Sequence, residues 1–187
     1  MRVAYNAILL GSYFSGVEIT ISTLASMLAR ELKNDLHVFL NSRAIDRFHF
    51  KDAACHRIGL SSGSRLSRIA WEHLSLPGLV KSLGCDLLHC PGYITPYRIP
   101  CPTVLTVHDA TALLRPELCR ISNRLYYGAL MGHGVRQAAQ VIVPSNIVKD
   151  QLVKLFSVET EKINVVPFAP SSVFRKADDP VLLDQVR

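Results

Sequence analysis

Residues 2–32 constrain the fold more than any other stretch of the chain. An apolar run, VAYNAILL, breaks at Gly11 into GSYFSG and then becomes VEITISTLASMLAREL, so a strand pattern gives way to a glycine-bearing turn and a helical pattern. Val17, Ile21, Leu24 and Leu28 recur at steps of four, three and four, which places them on one helix face able to pack back on a sheet. Gly16 stands at the head of that helix, where unpaired N–H groups and the positive end of the helix dipole favour phosphate or another anion. Units of this kind open many nucleotide-binding α/β folds.

The alternation continues along the chain. Apolar runs at 35–40 (DLHVFL), near 54–60, at 85–90 (CDLLHC), at 102–109 (PTVLTVHD), at 140–144 (QVIVP) and at 162–168 (KINVVPF) read as strands. Between them, helical patterns cover 122–138 and 146–156, the latter opened by Ser145 as N-cap. Residues 61–68, SSGSRLSR, read as a loop, and Leu66, Ile69, Ala70, Trp71 and Leu74 form the apolar face of a short amphipathic helix, read as packing at a core edge rather than lying on a membrane. Leu125, Tyr126 and Leu130 share one side of the 122–138 helix, whose Gly128, Gly132 and Gly134 lower its propensity but permit close packing on a sheet. Near-continuous apolar strands separated by helices predict an α/β class fold, a parallel sheet of about six to seven strands covered by helices on both faces.

Composition sets the bounds. A chain of 187 residues that is 49% hydrophobic and 19% charged suits a single well-filled domain. The apolar run at 7–10 is too short for a signal-peptide core, and five cysteines are an odd number in a chain that needs no disulfide framework, so a cytoplasmic setting is expected. The net charge of +6 resides in two segments, 42–75 and 98–136, each with a balance of +3. Arginine outnumbers lysine 14 to 7, and its forked guanidinium suits phosphate, although an ordinary solvated basic face is an equally good account of the excess.

In an open parallel sheet, ligands sit outside the carboxyl ends of the strands. The Gly, Pro and polar signals collect there: residues 11–16, 89–92, 108–109, 144–145 and 167–169. Gly11 and Gly16 have P-loop spacing, but Val17-Glu18 stands where Lys-Ser/Thr must follow, and the middle glycine of a dinucleotide fingerprint is absent. His108 beside Asp109 is the best candidate for polar chemistry, since a histidine can bond a phosphate or sugar oxygen and a carboxylate a hydroxyl. His89 is better read as a satisfied core residue. CxxxHC alternates across a strand and lacks a C-x-x-C pair, so no metal site is expected among Cys85, His89, Cys90 and Cys101. Ser145 needs no function as an N-cap, yet its helix start is a second anion position at the same edge.

Four stretches carry a resemblance. SGVEITISTLASML resembles the G-G-V-E turn and first helix of glycosyltransferase family 4, TVLTVHD its strand ending in His-Asp, QVIVPSNIVKDQL its V-S-x-x-S strand-helix unit, and KINVVPFAPSSVF its K-I-x-V-I-P-N-G-V-D-x-x-F segment. Taken in order, they resemble the N-terminal, acceptor-side, Rossmann-like half of a two-domain GT-B (group 1) enzyme. The resemblance implies retaining transfer of a hexose from a nucleotide-sugar donor to a glycan or lipid-linked acceptor, with no required metal and no cofactor held in this chain. Gly16 would approach the donor diphosphate, His108 the transferred sugar and Asp109 the reacting centre or acceptor, while Ser145 matches the serine that opens the later helix.

Departures accompany the match. Ser15 replaces the first glycine of the pair, and Phe168, Ala169 and Pro170 stand where Asn-Gly-Val is expected. The six glutamates contain no E-x-x-x-x-x-x-x-E spacing of a donor-binding half. The expected organisation is therefore an acceptor-side domain at 1–175, the start of a linker or helix at 176–187, and an absent C-terminal donor domain supplied in cis or in trans. The isolated chain is expected to be inactive, with peripheral contact at the inner face of an anionic membrane as a further partner. Two other readings compete: a non-catalytic basic module for anionic membrane or nucleic acid, and a free-standing Rossmann enzyme using another nucleotide, which binding of a nicotinamide cofactor would favour. Nucleic acid is disfavoured, because neither a known motif nor aromatic interleaving accompanies the arginines.

Overall fold

The computed structural model describes residues 1–11, 15–60 and 65–168, the side chains at 122, 123 and 125 excepted. The expected loop at 61–64, the hinge positions 169–170, the boundary at 175 and the linker at 176–187 lie outside the described residues, as does the side chain of Leu125. Strands β1 (Val3–Asn6), β2 (Leu36–Asn41), β3 (Ala54–Ile58), β4 (Leu87–Cys90), β5 (Thr103–Thr106), β6 (Gln140–Val143) and β7 (Ile163–Val165) make one sheet. All pairs are parallel, and the spatial order is β3-β2-β1-β4-β5-β6-β7. The expected Rossmann-like sheet is thus present with seven strands.

The helices are α1 (Gly16–Leu32), α2 (Arg65–Leu74), α3 (Leu76–Ser82), α4 (Thr111–Leu114), α5 (Ile121–Gln137) and α6 (Asn146–Phe156). Strand alternation sends Val3, Tyr5, Val38 and Leu40 to the face covered by Ile21, Ala25 and Ala29 of α1. Ala4, Phe39, Leu88, Leu105 and Val141 point the other way, against Leu76 and Val80 of α3, Met131 and Val135 of α5, and Val148 and Leu152 of α6. No described helix is long and apolar enough to cross a membrane.

Three local expectations change. The apolar run at 3–10 pairs as a strand only to Asn6; beyond it Ala7 N–H donates to Tyr5 O at 3.1 Å and Leu10 N–H to Ala7 O at 3.0 Å. Asn41 at the end of β2 fixes this buried turn, its amide donating to Ile8 O at 3.1 Å and to Leu10 O. A continuous apolar run cannot distinguish strand from buried turn, because both bury every side chain. Second, α2 presents its charged side inward: Glu72 is buried, while Leu66 and Leu74 are 77% and 81% exposed, and only Trp71 of the expected apolar face reaches Phe39, at a centroid distance of 6.0 Å. Third, Gly132 serves α6 rather than the sheet, since an added Cβ would lie 2.9 Å from Phe156, whereas Gly134 does face the sheet through Leu105.

Candidate functional site

Strand order reverses between β1 and β4, and in open α/β sheets the crevice at that switch point is where ligands lie. A cavity of about 960 Å³ opens there, walled by Gly11, Ser15 and Glu18 after β1, Arg65 and Arg68 of α2, Tyr93 after β4, Asp109 after β5, Arg120 at the head of α5 and Tyr127 within it.

The loop after β1 is closed by Glu18. Ser15 caps α1 by accepting from Glu18 N–H at 3.3 Å, while the Glu18 carboxylate accepts from Ser15 N–H at 3.0 Å and Gly11 N–H at 2.7 Å. The replacement of glycine by serine at 15 therefore supplies a cap. It also places a carboxylate at the positive end of the helix, so part of the anion-binding capacity expected of this turn is satisfied internally. Gly16 is exposed at the first helical position, and a Cβ added there meets nothing within 4 Å. Internal packing does not require glycine at 16.

Tyr93 organises the opposite wall. Its φ of 72° is unusual for a residue with a side chain, and its N–H donates to Thr106 O at 3.0 Å, which holds the loop across β5. From there its hydroxyl donates to Asp109 Oδ2 at 2.7 Å, and Thr111 N–H donates to Asp109 Oδ1 at 2.8 Å. Burial alone would raise the Asp109 pKa; these hydrogen bonds and the neighbouring His108 reverse the effect and hold it below the ordinary value. Burial and the adjacent carboxylate push the Tyr93 phenol upward, so it stays a donor.

His108 lies outside the cavity wall, its ring 5.2 Å from Tyr93 and 5.3 Å from Phe168. Its Nε2 is 2.8 Å from Pro91 O. A carbonyl can only accept, so Nε2 carries the proton. Burial lowers the pKa of His108 despite the Pro91 carbonyl and Asp109, which leaves the neutral ring with a bare Nδ1. His108 is expected from the sequence to donate to a phosphate or sugar oxygen; with Nε2–H engaged by Pro91, the neutral ring's Nδ1 is able to accept from a hydroxyl. Ser145 is outside the wall and caps α6, its Oγ accepting from Val148 N–H at 3.4 Å. His89 is buried, 2.9 Å from Thr106 Oγ1 and edge-on to Tyr5.

Of the four sequence-predicted site residues, only Asp109 lines the cavity. No sequence motif singles out as site residues Glu18, Tyr93, Tyr127, Arg65, Arg68 and Arg120, which also line it. A partial signal existed: Arg65 and Arg68 belong to one basic segment and Arg120 to the other.

Residues 14–168 match the profile of Glycosyltransferase Family 4. No curated protein matches the chain by sequence. Among solved structures, the Anabaena protein HepE in complex with UDP and glucose is similar at a TM-score of 0.54 and 16% identity, covering 100% of this chain and 50% of that one. A UDP-N-acetylglucosamine 2-epimerase gives 0.57 and 14%, covering 100% and 54%, and the lipopolysaccharide outer core galactosyltransferase WaaB in its apo form gives 0.58 and 14%, covering 96% and 50%. The chain spans about half the length of these solved structures, and at such identities the likeness is one of fold.

Proposed function

The chain belongs to glycosyltransferase family 4, and on that premise we propose that it is the acceptor-side half of a retaining hexosyltransferase. The sugar would pass from a nucleotide-sugar donor to a glycan or lipid-linked acceptor. The observation that carries this reading is the cavity at the switch point, walled on one side by the Tyr93–Asp109 pair, in a chain about half as long as its solved structural neighbours. A nucleotide-sugar donor accords with the UDP and glucose bound by the Anabaena neighbour. The epimerase likeness shows that this half-fold also serves other reactions, so family membership rather than fold supports transfer.

In this reading residues 1–175 hold the acceptor, 176–187 begin the connection to a donor-binding domain in cis or in trans, and the isolated chain transfers nothing. His108 Nδ1 accepts a hydroxyl of the transferred sugar. Asp109, kept ionised by Tyr93 and Thr111, places a fixed negative charge where positive charge develops on the sugar ring in an oxocarbenium-like transition state. A carboxylate with a depressed pKa is a poor base, so stabilisation of charge fits Asp109 better than proton abstraction. The exposed N–H end of α1 at Gly16 meets the donor diphosphate, and Ser145 keeps the next helix start in place. Exposed Leu114, Leu118 and Ile121, interleaved with Arg115, Arg120 and Arg124, support peripheral contact with an anionic membrane.

The alternative of a purely non-catalytic basic module has no support from the family assignment. The test joins this chain to the donor domain of a family member and measures transfer from a nucleotide sugar. His108→Ala is expected to reduce transfer by at least tenfold while the fold survives; undiminished turnover would remove His108 from the site.

A further inference from the structure

Tyr127 stands one helical turn before Met131 on α5, and both residues line the cavity at the switch point. Its ring sits between two others: the centroids of the Tyr93 and Tyr126 rings each lie 5.1 Å away, tilted by 54° and 63°. Tyr126 is buried, and Tyr93 is pinned through Thr106 and Asp109, so the Tyr127 ring is braced on both sides. An aromatic surface that is already fixed costs little further ordering when a ligand lies on it.

The three hydroxyls differ in what they do. Tyr93 donates to Asp109 Oδ2 at 2.7 Å and Tyr126 accepts from Arg68 Nη2 at 3.5 Å, whereas the Tyr127 hydroxyl makes no hydrogen bond among the described residues. Burial pushes the Tyr127 phenol up, so it keeps its proton. The wall thus holds an unspent O–H donor. Asp109 has the complementary vacancy, since Tyr93 and Thr111 leave at least one of the about four acceptor sites of a carboxylate open.

A sugar hydroxyl both donates and accepts, and a pyranose ring with equatorial hydroxyls turns a C–H face to one side. A phenol donor, a carboxylate acceptor and an aromatic face in one wall match those features together. A simple alcohol would use the polar pair and leave the aromatic face idle. Tyr127 also packs against the core, but packing alone would be served equally by phenylalanine.

We propose that Tyr127 selects the acceptor: the unit entering this cleft is a sugar ring, its C–H face on Tyr127, with a hydroxyl that accepts from the Tyr127 phenol and donates to Asp109. The inference rests on the acceptor-side reading and narrows the acceptor to a sugar, whether free or at the end of a glycan or lipid. The transferred hexose offers the same ring chemistry, so the test must separate acceptor from donor.

Saturation-transfer NMR on this chain with methyl β-glucopyranoside, glycerol and UDP-glucose makes the separation. The glucoside is expected to bind with saturation concentrated on the axial protons of one ring face, and glycerol, which has hydroxyls but no ring, to show no saturable binding. Tyr127→Phe should weaken the glucoside about fivefold while preserving that pattern. Tyr127→Leu should abolish both, and UDP-glucose should bind each variant as it binds the wild type. Should Tyr127→Leu fail to fold, Tyr127→Phe carries the test. Glucoside affinity undiminished in Tyr127→Phe would reduce Tyr127 to packing and overturn the proposal, as would glycerol binding as tightly as the glucoside, or no binding of the glucoside at all. Loss of UDP-glucose binding in either variant would assign the ring to the donor and overturn it equally. None of these outcomes touches the acceptor-side reading, which falls only if the wild-type chain joined to a donor domain transfers nothing from a nucleotide sugar.

Discussion

Gly16 and Gly134 lack side chains for opposite reasons. At Gly134 an added Cβ would stand 3.2 Å from Thr95 N and 3.3 Å from Leu105 Cδ2, so α5 needs that position bare to reach the sheet. At Gly16 the same atom would enter open space. Gly134→Ala should therefore destabilise the fold by about 1–3 kcal/mol through overpacking, whereas Gly16→Ala should leave stability equal or raise it by up to about 1 kcal/mol. Urea midpoints check both. If Gly16 meets a donor, its alanine variant loses transfer in the joined enzyme despite unimpaired stability, a combination that a purely structural glycine would not give. Tyr93→Phe probes the other wall: it keeps the ring but removes the donor to Asp109 Oδ2. The Asp109 pKa should rise toward its ordinary value, and the acid limb of the transfer profile should move to higher pH.

At the scale of elements, α1 and α2 differ in what local pattern can reveal. The capping box of α1 is written in the chain as Ser15-x-x-Glu18, and its apolar face follows the helical period into the core. Glu18→Ala removes the acceptor for two amides as well as half of the box, and should cost about 1–2 kcal/mol in chemical denaturation. The periodicity of α2 is equally regular, but Leu66 and Leu74 face outward and Arg68 and Glu72 inward. An amphipathic pattern says that the two sides of a helix differ; it does not say which side meets a cavity lined with polar partners. Asn6 and Tyr126, which receive that charged side, lie 66 and 58 residues from their partners Glu72 and Arg68.

For the whole molecule, buried histidines set the response to acid. His89 titrates at about 4 instead of 6.5, chiefly because burial disfavours its charged form and secondarily because His108 is near. The unfolded chain binds a proton that the fold refuses, so this contribution is fully present above pH 6.5 and is lost as pH falls toward 4. The shift corresponds to about 3 kcal/mol. His37, His56, His73 and His108 are lowered in the same direction, again chiefly by burial. Stability should thus decline steadily below pH 6.5, and His89→Gln should flatten that decline even while lowering stability at neutral pH; unfolding midpoints between pH 7.5 and 4.5 measure both.

Much of this architecture is legible without coordinates because its signals are local. Apolar runs mark the strands, Ser145 and the period of Val148 and Leu152 mark α6, and His108-Asp109 mark the segment that follows β5. Those signals depend on neighbours a few residues apart, and backbone geometry converts them directly into strand or helix. Spatial neighbours are another matter, since many strand orders satisfy the same alternating pattern. Only the assembled sheet sets β1 beside β4 and thereby brings the turn after β1, Tyr93, Asp109 and the arginines of two distant segments around one cavity. The amino-acid order by itself determined a parallel α/β fold and the strand ends that carry polar residues. Tertiary packing decided that Tyr93 holds Asp109, that His108 donates a hydrogen bond to the Pro91 carbonyl, and that α2 turns its charges inward, because each depends on groups that parallel crossovers bring together from far apart in the chain.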